Sequence, residues 1–215
     1  MPSKPCVRIT GDEYSAFDRA YQWFNEKLFG GRLPPCLITL QRKARSRGYY
    51  ANERFGHRLN ATTFTDELAL NPDTFGDRSD KDILSTLVHE MCHCFEQHFG
   101  TPPRRGYHNR AWAEQMISIG LMPSDSGQPG GKQTGQGMSH YIIEGGPFDL
   151  AAEALIATGF CLNWQSATAM SQAGKGAKDH SKTKYSCPSC GQNAWAKPDS
   201  ALVCGECMEI MEAEG

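Results

Sequence analysis

Residues 86–100 read TLVHEMCHCFEQHFG and place three histidines and two cysteines, all potential metal ligands, within fifteen positions. The apolar residues around them recur at helical spacing, which predicts a largely buried helix. Ser79, with Asp82 three residues later, is its predicted N-cap, and the helix is expected to end near His98. Burying histidines and a glutamate costs free energy unless a partner satisfies them, so the pattern indicates a functional site in this helix.

His89, Glu90 and His93 form the pattern His-Glu-x-x-His. Residues four apart lie roughly 40° from each other around a helix, so both imidazoles can face one metal ion. The carboxylate of Glu90 can then reach a water molecule on that ion without being a ligand. This arrangement is typical of zincins, in which zinc lowers the pKa of the water to about 7 and the glutamate is the general base. The sequence therefore predicts a catalytic zinc held by His89 and His93, with Glu90 as the base.

The other potential ligands in the same stretch face elsewhere. His98 lies roughly 180° from His89 around the helix. Cys92 and Cys94 flank His93 and point away from the face that His89 and His93 share. None of these three side chains is expected to bind the catalytic zinc.

A catalytic zinc usually has three protein ligands and a water molecule, so a third ligand has to come from another segment. His108, fifteen residues after His93, is predicted to open the next helix, which a tight loop could bring back across the site. Glu114, in the same predicted helix, is the other candidate, because carboxylates also complete such sites. The spacing leaves both open. His57 and His140 are distant in the sequence, and nothing else supports them.

An amphipathic helix is predicted near the start of the chain. Its apolar residues are spaced four, three and four apart between Phe17 and Leu28. Thr10 and Glu13 form the predicted capping box at its N-terminus, and Gly30 marks its end.

Three short strands are predicted in CLITLQRK, RGYYANERF and DELALNP, and a third helix in HNRAWAEQMISIG. The order of helix, small antiparallel sheet, HExxH helix and third helix predicts an α+β fold, with a compact zincin-like domain over residues 1–123. If the substrate is a peptide, it is expected to pair with the strand in ELALNP by edge-strand addition.

The C-terminal part of the chain is predicted to be more loosely organised. Residues 124–138 are rich in glycine and predict a flexible loop. Residues 139–170 predict a small ordered segment, with a strand, a helix and another strand, whose assignment to either neighbour stays open. Residues 171–183 predict a linker, and residues 184–211 a small separate module.

Four cysteines in that module form two Cys-x-x-Cys pairs, Cys187 with Cys190 and Cys204 with Cys207. Four thiolates close a tetrahedral site with no open position, so the pattern predicts a structural zinc and a zinc ribbon. The remaining cysteines are expected to be small buried side chains. They are Cys6, Cys36, Cys92, Cys94 and Cys161.

A basic segment follows the first predicted strand and contains Arg42, Lys43, Arg45, Arg47 and the aromatic Tyr49. Cations that bind phosphates and rings that stack on bases are what proteins use to hold single-stranded nucleic acid. An exposed strand edge protected by charge is an equal alternative. Because the chain carries a formal net charge of −2, contact with DNA is expected to be local, sensitive to salt and independent of base sequence.

Residues 10–122 resemble the SprT-like zinc metallopeptidases, the Spartan-related family. The resemblance is carried by NEKLFGGRLP, RSRGYY, LALNP, LVHEMCH and YHNRAWAEQMISIGL, and a C-terminal zinc ribbon also occurs in members of the family. It implies zinc, peptide hydrolysis and association with DNA, and it favours His108 over Glu114 as the third ligand. The family's usual His-Gly-Pro is His108-Asn109-Arg110 here, so the turn after the ligand departs from the pattern.

Together these features predict a zinc metalloendopeptidase with one catalytic and one structural Zn²⁺. Its expected substrate is a protein or peptide and, as the resemblance implies, a DNA-bound or DNA-crosslinked protein. The alternatives are a DNA-associated zinc-binding protein with a vestigial protease-like site, and a hydrolase of small amides. The chain has no run of eighteen apolar residues, and its first residues do not resemble a secretion signal. A cytoplasmic protein without a membrane partner is therefore expected, and a nucleoid or nuclear location is compatible with the same features.

Overall fold

A computed structural model describes residues 8–167 and 182–214 of the chain. The chain divides into two compact units, Met1–Met170 and Ser171–Gly215. Cys6 and most of the predicted linker, residues 171–181, lie outside the described residues. Within the described part, no helix combines the length and the apolar character needed to cross a bilayer.

The described residues of the first unit form four α-helices and several small sheets, so the fold is α+β, as the sequence predicts. Its elements follow the order α1 (Ile9–Phe29), β1 (Cys36–Leu40), β2 (Gly48–His57), β3 (Asn60–Leu70), a 3-10 turn (Pro72–Thr74), α2 (Asp80–Phe99), β4 (Tyr107–His108), α3 (Arg110–Ser118), β5 (Leu121–Ser124), β6 (Gly135–Gln136), β7 (Ser139–Ile142) and α4 (Pro147–Ala157).

Helix α1 buries the apolar face that its periodicity predicts, and it ends at Gly30, whose φ of 64° is left-handed. The predicted capping box is wrong. The helix begins at Ile9, so Thr10 lies inside its first turn, and no side chain caps the N-terminus. Glu13 is buried and accepts a hydrogen bond from the backbone N–H of Asn163 at 3.3 Å, which occupies the carboxylate that the capping box would need.

The main sheet has the strand order β1-β3-β2. Strands β2 and β3 form an antiparallel hairpin, whereas β1 runs parallel to β3, so the predicted antiparallel sheet is in fact mixed. The reason is that β1 lies on the side of β3 opposite to β2 and runs in the same direction as β3. Strand β3, which contains ELALNP, is thus paired on both sides. The expectation that a substrate pairs with this strand is wrong, because the edges of the sheet are β1 and β2.

Helix α2 begins as the sequence predicts. Ser79 is the N-cap, and its side chain and that of Asp82 exchange hydrogen bonds with each other's backbone N–H in a full capping box. The helix packs its apolar face into the main core, where Leu84, Leu87 and Val88 are fully buried. The N-terminus of α2 is therefore fixed by capping and its apolar face by packing, and the His-Glu-x-x-His residues lie near its middle.

Residues 121–157 add short strands and helix α4 to the first unit. Strand β5 pairs with β7, and β4 pairs with β6. Helix α4 packs its Phe148 ring against Phe24 of α1, with ring centroids 5.5 Å apart. Gly120, with φ 91°, allows the start of α4 to lie close against it, because a Cβ atom there would lie 2.9 Å from the backbone nitrogen of Phe148. The second strand expected after α4 is absent from residues 159–166, which are irregular.

The second unit is a small sheet with the order β10-β8-β9, in which both pairings are antiparallel. Its strands are β8 (Thr183–Ser186), β9 (Asn193–Ala196) and β10 (Glu212–Glu214). The apolar core is minimal, and its buried members are Tyr185, Cys187, Cys204 and Met211. So small a core rarely stabilises an isolated module without a metal or a disulfide.

Candidate metal centre

Three histidines converge in the first unit. His89 and His93 come from α2 and His108 from β4, and one ligand nitrogen from each lies within 4.8 Å of the others. The Nε2 atoms of His93 and His108 are 3.1 Å apart. Because residues four apart share a helix face, α2 alone brings the first two together, whereas His108 is placed by the pairing of β4 with β6.

His108 is oriented by its own strand partner. Its Nδ1 lies 3.2 Å from the carbonyl oxygen of Gly135, which can only accept a hydrogen bond, so Nδ1 carries the proton and Nε2 is free as a ligand. The residue ends β4 and does not open α3 as predicted. Asn109 is the N-cap of that helix and accepts a hydrogen bond from the backbone of Trp112 at 2.8 Å. This capping stabilises the turn His108-Asn109-Arg110, which takes the place of the expected His-Gly-Pro.

Glu114, the other candidate for third ligand, lies outside this group. Its carboxylate is exposed and accepts a hydrogen bond from Nε of Arg110 at 2.8 Å, an i,i+4 pair on the surface of α3. The structure therefore brings His108, and not Glu114, to His89 and His93.

His140 is a fourth histidine at the site, and no feature of the sequence pointed to it. Its Nδ1 is 3.1 Å from Nδ1 of His89, and its Nε2 is 2.8 Å from Oγ of Ser85. Since the Ser85 hydroxyl donates to the carbonyl oxygen of Asp82, it accepts from His140, and His140 Nδ1 must accept from His89. This chain of donors leaves Nε2 of His89 unprotonated and available as a ligand. His57, by contrast, lies at the end of β2 on the exposed hairpin.

Trp112 forms a wall of the site. Its ring centroid is 4.4 Å from that of His108, 4.9 Å from that of His89 and 5.2 Å from that of His93. The side chain is fully buried, and its Nε1 has no hydrogen-bond partner among the residues that the structure describes. The indole thus excludes water from one side of the three imidazoles, which strengthens electrostatic interactions there.

Burial keeps these histidines neutral. It holds the pKa of His89 well below its usual value, with further repulsion from His140, His93 and His108. Burial also lowers the pKa of His93 to about 3 and that of His140 to about 4, and it lowers the pKa of His108. Neutral imidazole is the form that binds metal, so three converging neutral nitrogens fit Zn²⁺ by chemistry and by spacing.

Glu90 lies beside the histidines and is not one of the converging ligands. It is buried, and burial raises its pKa to about 8, against the opposing effects of Lys43 and of the backbone N–H of Tyr50. Its carboxylate lies over Gly48 of β2, where a Cβ atom would be 3.2 Å from Oε1. The carboxylate therefore stands between the helix and the start of an edge strand, in a weakly solvated position.

Cys92, Cys94 and His98 lie outside the histidine group, as their helical angles predict. Cys92 and Cys94 are buried, in agreement with the sequence-based expectation. His98 extends from α2 to Asp66, with its Nε2 2.6 Å from Oδ2. Of the other cysteines expected to be buried, Cys36 is half-buried and Cys161 is exposed, because Cys161 lies in the irregular segment after α4.

The second unit contains the four-cysteine cluster, with the Sγ atoms of Cys187, Cys190, Cys204 and Cys207 within 4.8 Å of one another. The two Cys-x-x-Cys turns have the same backbone pattern. Gly191 N–H donates to the carbonyl oxygen of Cys187, and Met208 N–H to that of Cys204, each at 2.9 Å. This geometry is compatible with a zinc ribbon.

The predicted basic segment forms the loop between β1 and β2. Its cations are exposed, and they are Arg42, Lys43, Arg45 and Arg47. Lys43 Nζ lies 4.6 Å from the centroid of the Tyr49 ring, and the Tyr49 hydroxyl donates to Glu67 at 3.0 Å. Arg42 is paired with Asp73 at 3.7 Å. The segment is thus a positively charged surface that adjoins Gly48 and, through it, Glu90.

The chain is also similar in sequence to a known protein family. A sequence model of the SprT-like family matches residues 17–129, more than half of the 215-residue chain. The chain belongs to the SprT-like family. The region matched to the SprT-like model includes His89, Glu90, His93 and His108 but ends before His140 and the cysteine cluster.

A second similarity is more local. An uncharacterized protein in the mucB 3'region of Salmonella typhimurium is 56% identical to this SprT-like chain over 46 residues, which are 21% of this chain and 62% of the relative. The matched segment thus covers less than two thirds of that relative's length.

Proposed function

We propose that this SprT-like protein is a zinc metalloendopeptidase. His89, His93 and His108 would hold the catalytic Zn²⁺, which would supply a Lewis acid and an activated water. The observation that carries the proposal is the convergence of three neutral imidazoles, whose ligand nitrogens lie within 4.8 Å of one another. Beside them is the buried carboxylate of Glu90, on the same helix as His89 and His93. The protein's own contribution is to fix the tautomers of two of these ligands and to exclude water with Trp112.

Glu90 is the proton carrier in this proposal. Its carboxylate accepts a proton from the attacking water and then delivers it to the nitrogen of the departing amine. A carboxylate in a weakly solvated position is a stronger proton acceptor than one in bulk water, which suits the first half of this transfer.

The substrate is proposed to lie along β2. Strand β2 is an edge of the main sheet, and its first residue, Gly48, lies directly under the Glu90 carboxylate. An extended peptide that adds to an edge strand is held by backbone hydrogen bonds and therefore with little dependence on its side chains. Such pairing would place a scissile bond next to Glu90.

DNA association is a further part of the proposal. The exposed cations of the loop before β2, together with Tyr49, can neutralise phosphates, and they lie next to the proposed substrate strand. The proposed substrate class is therefore a protein that is bound or crosslinked to DNA. The four cysteines of the second unit would hold a structural zinc.

Two variants test the zinc site together with the activity. His108→Ala is expected to lose the catalytic zinc and the cleavage of a DNA-bound protein, because the third ligand is removed. Glu114→Ala, in the neighbouring helix, is the matched control and is expected to keep both. Full zinc content and full cleavage in His108→Ala would contradict the proposal.

The alternative of a DNA-associated protein with a vestigial site is favoured by the same basic loop. It predicts DNA binding by the zinc-loaded wild-type protein with no cleavage of any DNA-bound protein. Cleavage of peptides without DNA, unchanged by neutralising Arg45 and Arg47, would instead indicate a hydrolase without a DNA-dependent role.

A further inference from the structure

A second pair of potential metal ligands is spaced four residues apart on α2. Cys94 and His98 repeat the spacing of His89 and His93, so they share a helix face. Cys94 is roughly 140° from His89 around the axis, which directs this second pair to another side of the helix. Cys94 and His98, which the catalytic proposal leaves unused, therefore share a face of their own.

The main sheet presents two more ligand types to this face. Cys36 of β1 and Asp66 of β3 are register partners in the parallel pairing, so they lie side by side. The Sγ atoms of Cys36 and Cys94 are 3.9 Å apart. One ligand atom from each of Cys36, Asp66 and Cys94 lies within 4.8 Å of the others, and His98 Nε2 is 2.6 Å from Oδ2 of Asp66. Two strands and one helix thus bring three ligands to one place, and His98 lies beside this group through its contact with Asp66.

We propose that Cys36, Asp66 and Cys94 hold Zn²⁺ or a similar soft-to-borderline divalent ion, and that His98 turns from its contact with Asp66 to become the fourth ligand. Two thiolates, one carboxylate and one imidazole are all ligand types that zinc accepts, and four of them complete a tetrahedral site. The site shares no residue with the three histidines, so it is independent of the proposed catalytic function.

The carboxylate of Asp66 is held in place by neighbouring donors. The Tyr50 hydroxyl donates to Oδ2 at 2.6 Å, and the backbone N–H of Glu53 donates to Oδ1 at 2.8 Å. Glu53 has a left-handed φ of 48° within the bulge that interrupts the pairing of β2 with β3. The backbone thus adopts an unfavourable conformation where its amide reaches Asp66, and such supporting contacts are typical of the residues around metal ligands.

The arrangement also provides an entry path. Cys94 and Asp66 are buried, whereas the side chain of His98 retains 34% of its exposure. An ion can therefore enter past His98, which closes the site last. Because no coordination position is left open, the ion would be structural, and it would connect β1 and β3 to the second half of α2.

The test is the metal content of the purified full-length protein after dialysis against a weak chelator. Cys36→Ser is expected to contain one metal ion fewer per chain than the wild type. His98→Ala, an exposed substitution that should not disturb folding, is expected to release the same ion at a lower chelator concentration. Cys161→Ser, which removes an exposed thiol of the same unit, is the matched control and is expected to match the wild type.

The metal content of Cys36→Ser is also compared with that of its parent in a His89→Ala background, which removes a ligand of the proposed catalytic zinc. The difference of one ion per chain is expected to persist there. Equal metal content in the wild type and Cys36→Ser, or equal retention in the wild type and His98→Ala, overturns the proposal. A disulfide between Cys36 and Cys94 in protein purified under reducing conditions, detected by alkylation and mass spectrometry, also overturns it.

Discussion

Nδ1 of His140 lies 3.1 Å from Nδ1 of His89, although the two residues are 51 positions apart. The hydrogen-bond chain from His89 through His140 to Ser85 fixes which nitrogen of His89 is free. His140 is therefore a positioning residue for the proposed zinc ligand, and it ties strand β7 to the His-Glu-x-x-His helix.

His140→Ala should weaken zinc binding at the histidine site about 10–100-fold, because residues that orient a metal ligand typically contribute this much. The measurement is competition with a fluorescent zinc chelator. His57→Ala, which removes an exposed histidine from the hairpin, is the control and should leave the affinity unchanged. Equal affinity in His140→Ala and the wild type would show that His89 needs no such support.

Gly48→Ala should disturb the proposed site through sterics alone. The new Cβ atom would lie 2.8 Å from the carbonyl oxygen of Ala69 and 3.2 Å from Oε1 of Glu90, so β2 has to shift. We expect a loss of about 1–3 kcal/mol in the free energy of unfolding, measured by urea denaturation, and lower peptide cleavage at unchanged zinc content. Gly56→Ala on the same strand meets only Phe64, at 3.5 Å, and should be close to neutral. Similar effects of the two substitutions would contradict this interpretation.

Asp149→Asn should lower stability in a pH-dependent manner. The ion pair with Lys81, at 2.5 Å, and the N–H of Gly145 hold the pKa of Asp149 below its usual value. A carboxyl group whose folded pKa is depressed stabilises the protein above its unfolded pKa of about 3.9, and this contribution is lost as the pH falls through the folded pKa.

The expected deficit of Asp149→Asn is about 1–2 kcal/mol at pH near 7, and the gap to the wild type should close as the pH falls below about 4. Urea denaturation at several pH values measures both. Glu153→Gln, which removes the more exposed partner of the same lysine, should have a smaller effect. A deficit that stays constant with pH would exclude the ion pair as its cause.

Met208→Gly should stabilise the second unit. Met208 has a left-handed φ of 53°, and Gly191 holds the equivalent position of the other cysteine turn with φ 72°. A glycine relieves the left-handed strain at an exposed position, for an expected gain of about 0.5–1 kcal/mol. The gain can be measured as a higher resistance of a metal ion bound by the four cysteines to removal by a chelator. Gly191→Ala should act in the opposite direction, and faster metal loss from Met208→Gly than from the wild type would contradict the account.

Features that depend on neighbouring residues could be predicted from the sequence. The capping box of Ser79 and Asp82 and the apolar periodicity are sufficient to define α2, and the spacing of His89 and His93 is sufficient to place them on one face. Helical angles likewise separate His98 from the histidine group. These relationships lie within a few turns of one helix, where geometry follows directly from residue number.

Features that depend on strand order could not be predicted in this way. The position of β3 between β1 and β2 follows from the parallel register that pairs Cys36 with Asp66, which no local pattern specifies. His140 reaches His89 only because β7 pairs with β5, and these strands are four residues each. Strands this short carry too little alternation to predict their partners.

The most direct test of the central claim is the cleavage rate of the zinc-loaded Glu90→Gln variant on a DNA-bound protein substrate. Glu90→Gln keeps the size of the side chain but removes the proton acceptor, so we expect zinc content equal to the wild type and a rate about 10²–10⁴-fold lower. Glu114→Gln, the matched control, should cleave at the wild-type rate. Undiminished cleavage by zinc-loaded Glu90→Gln would contradict the account.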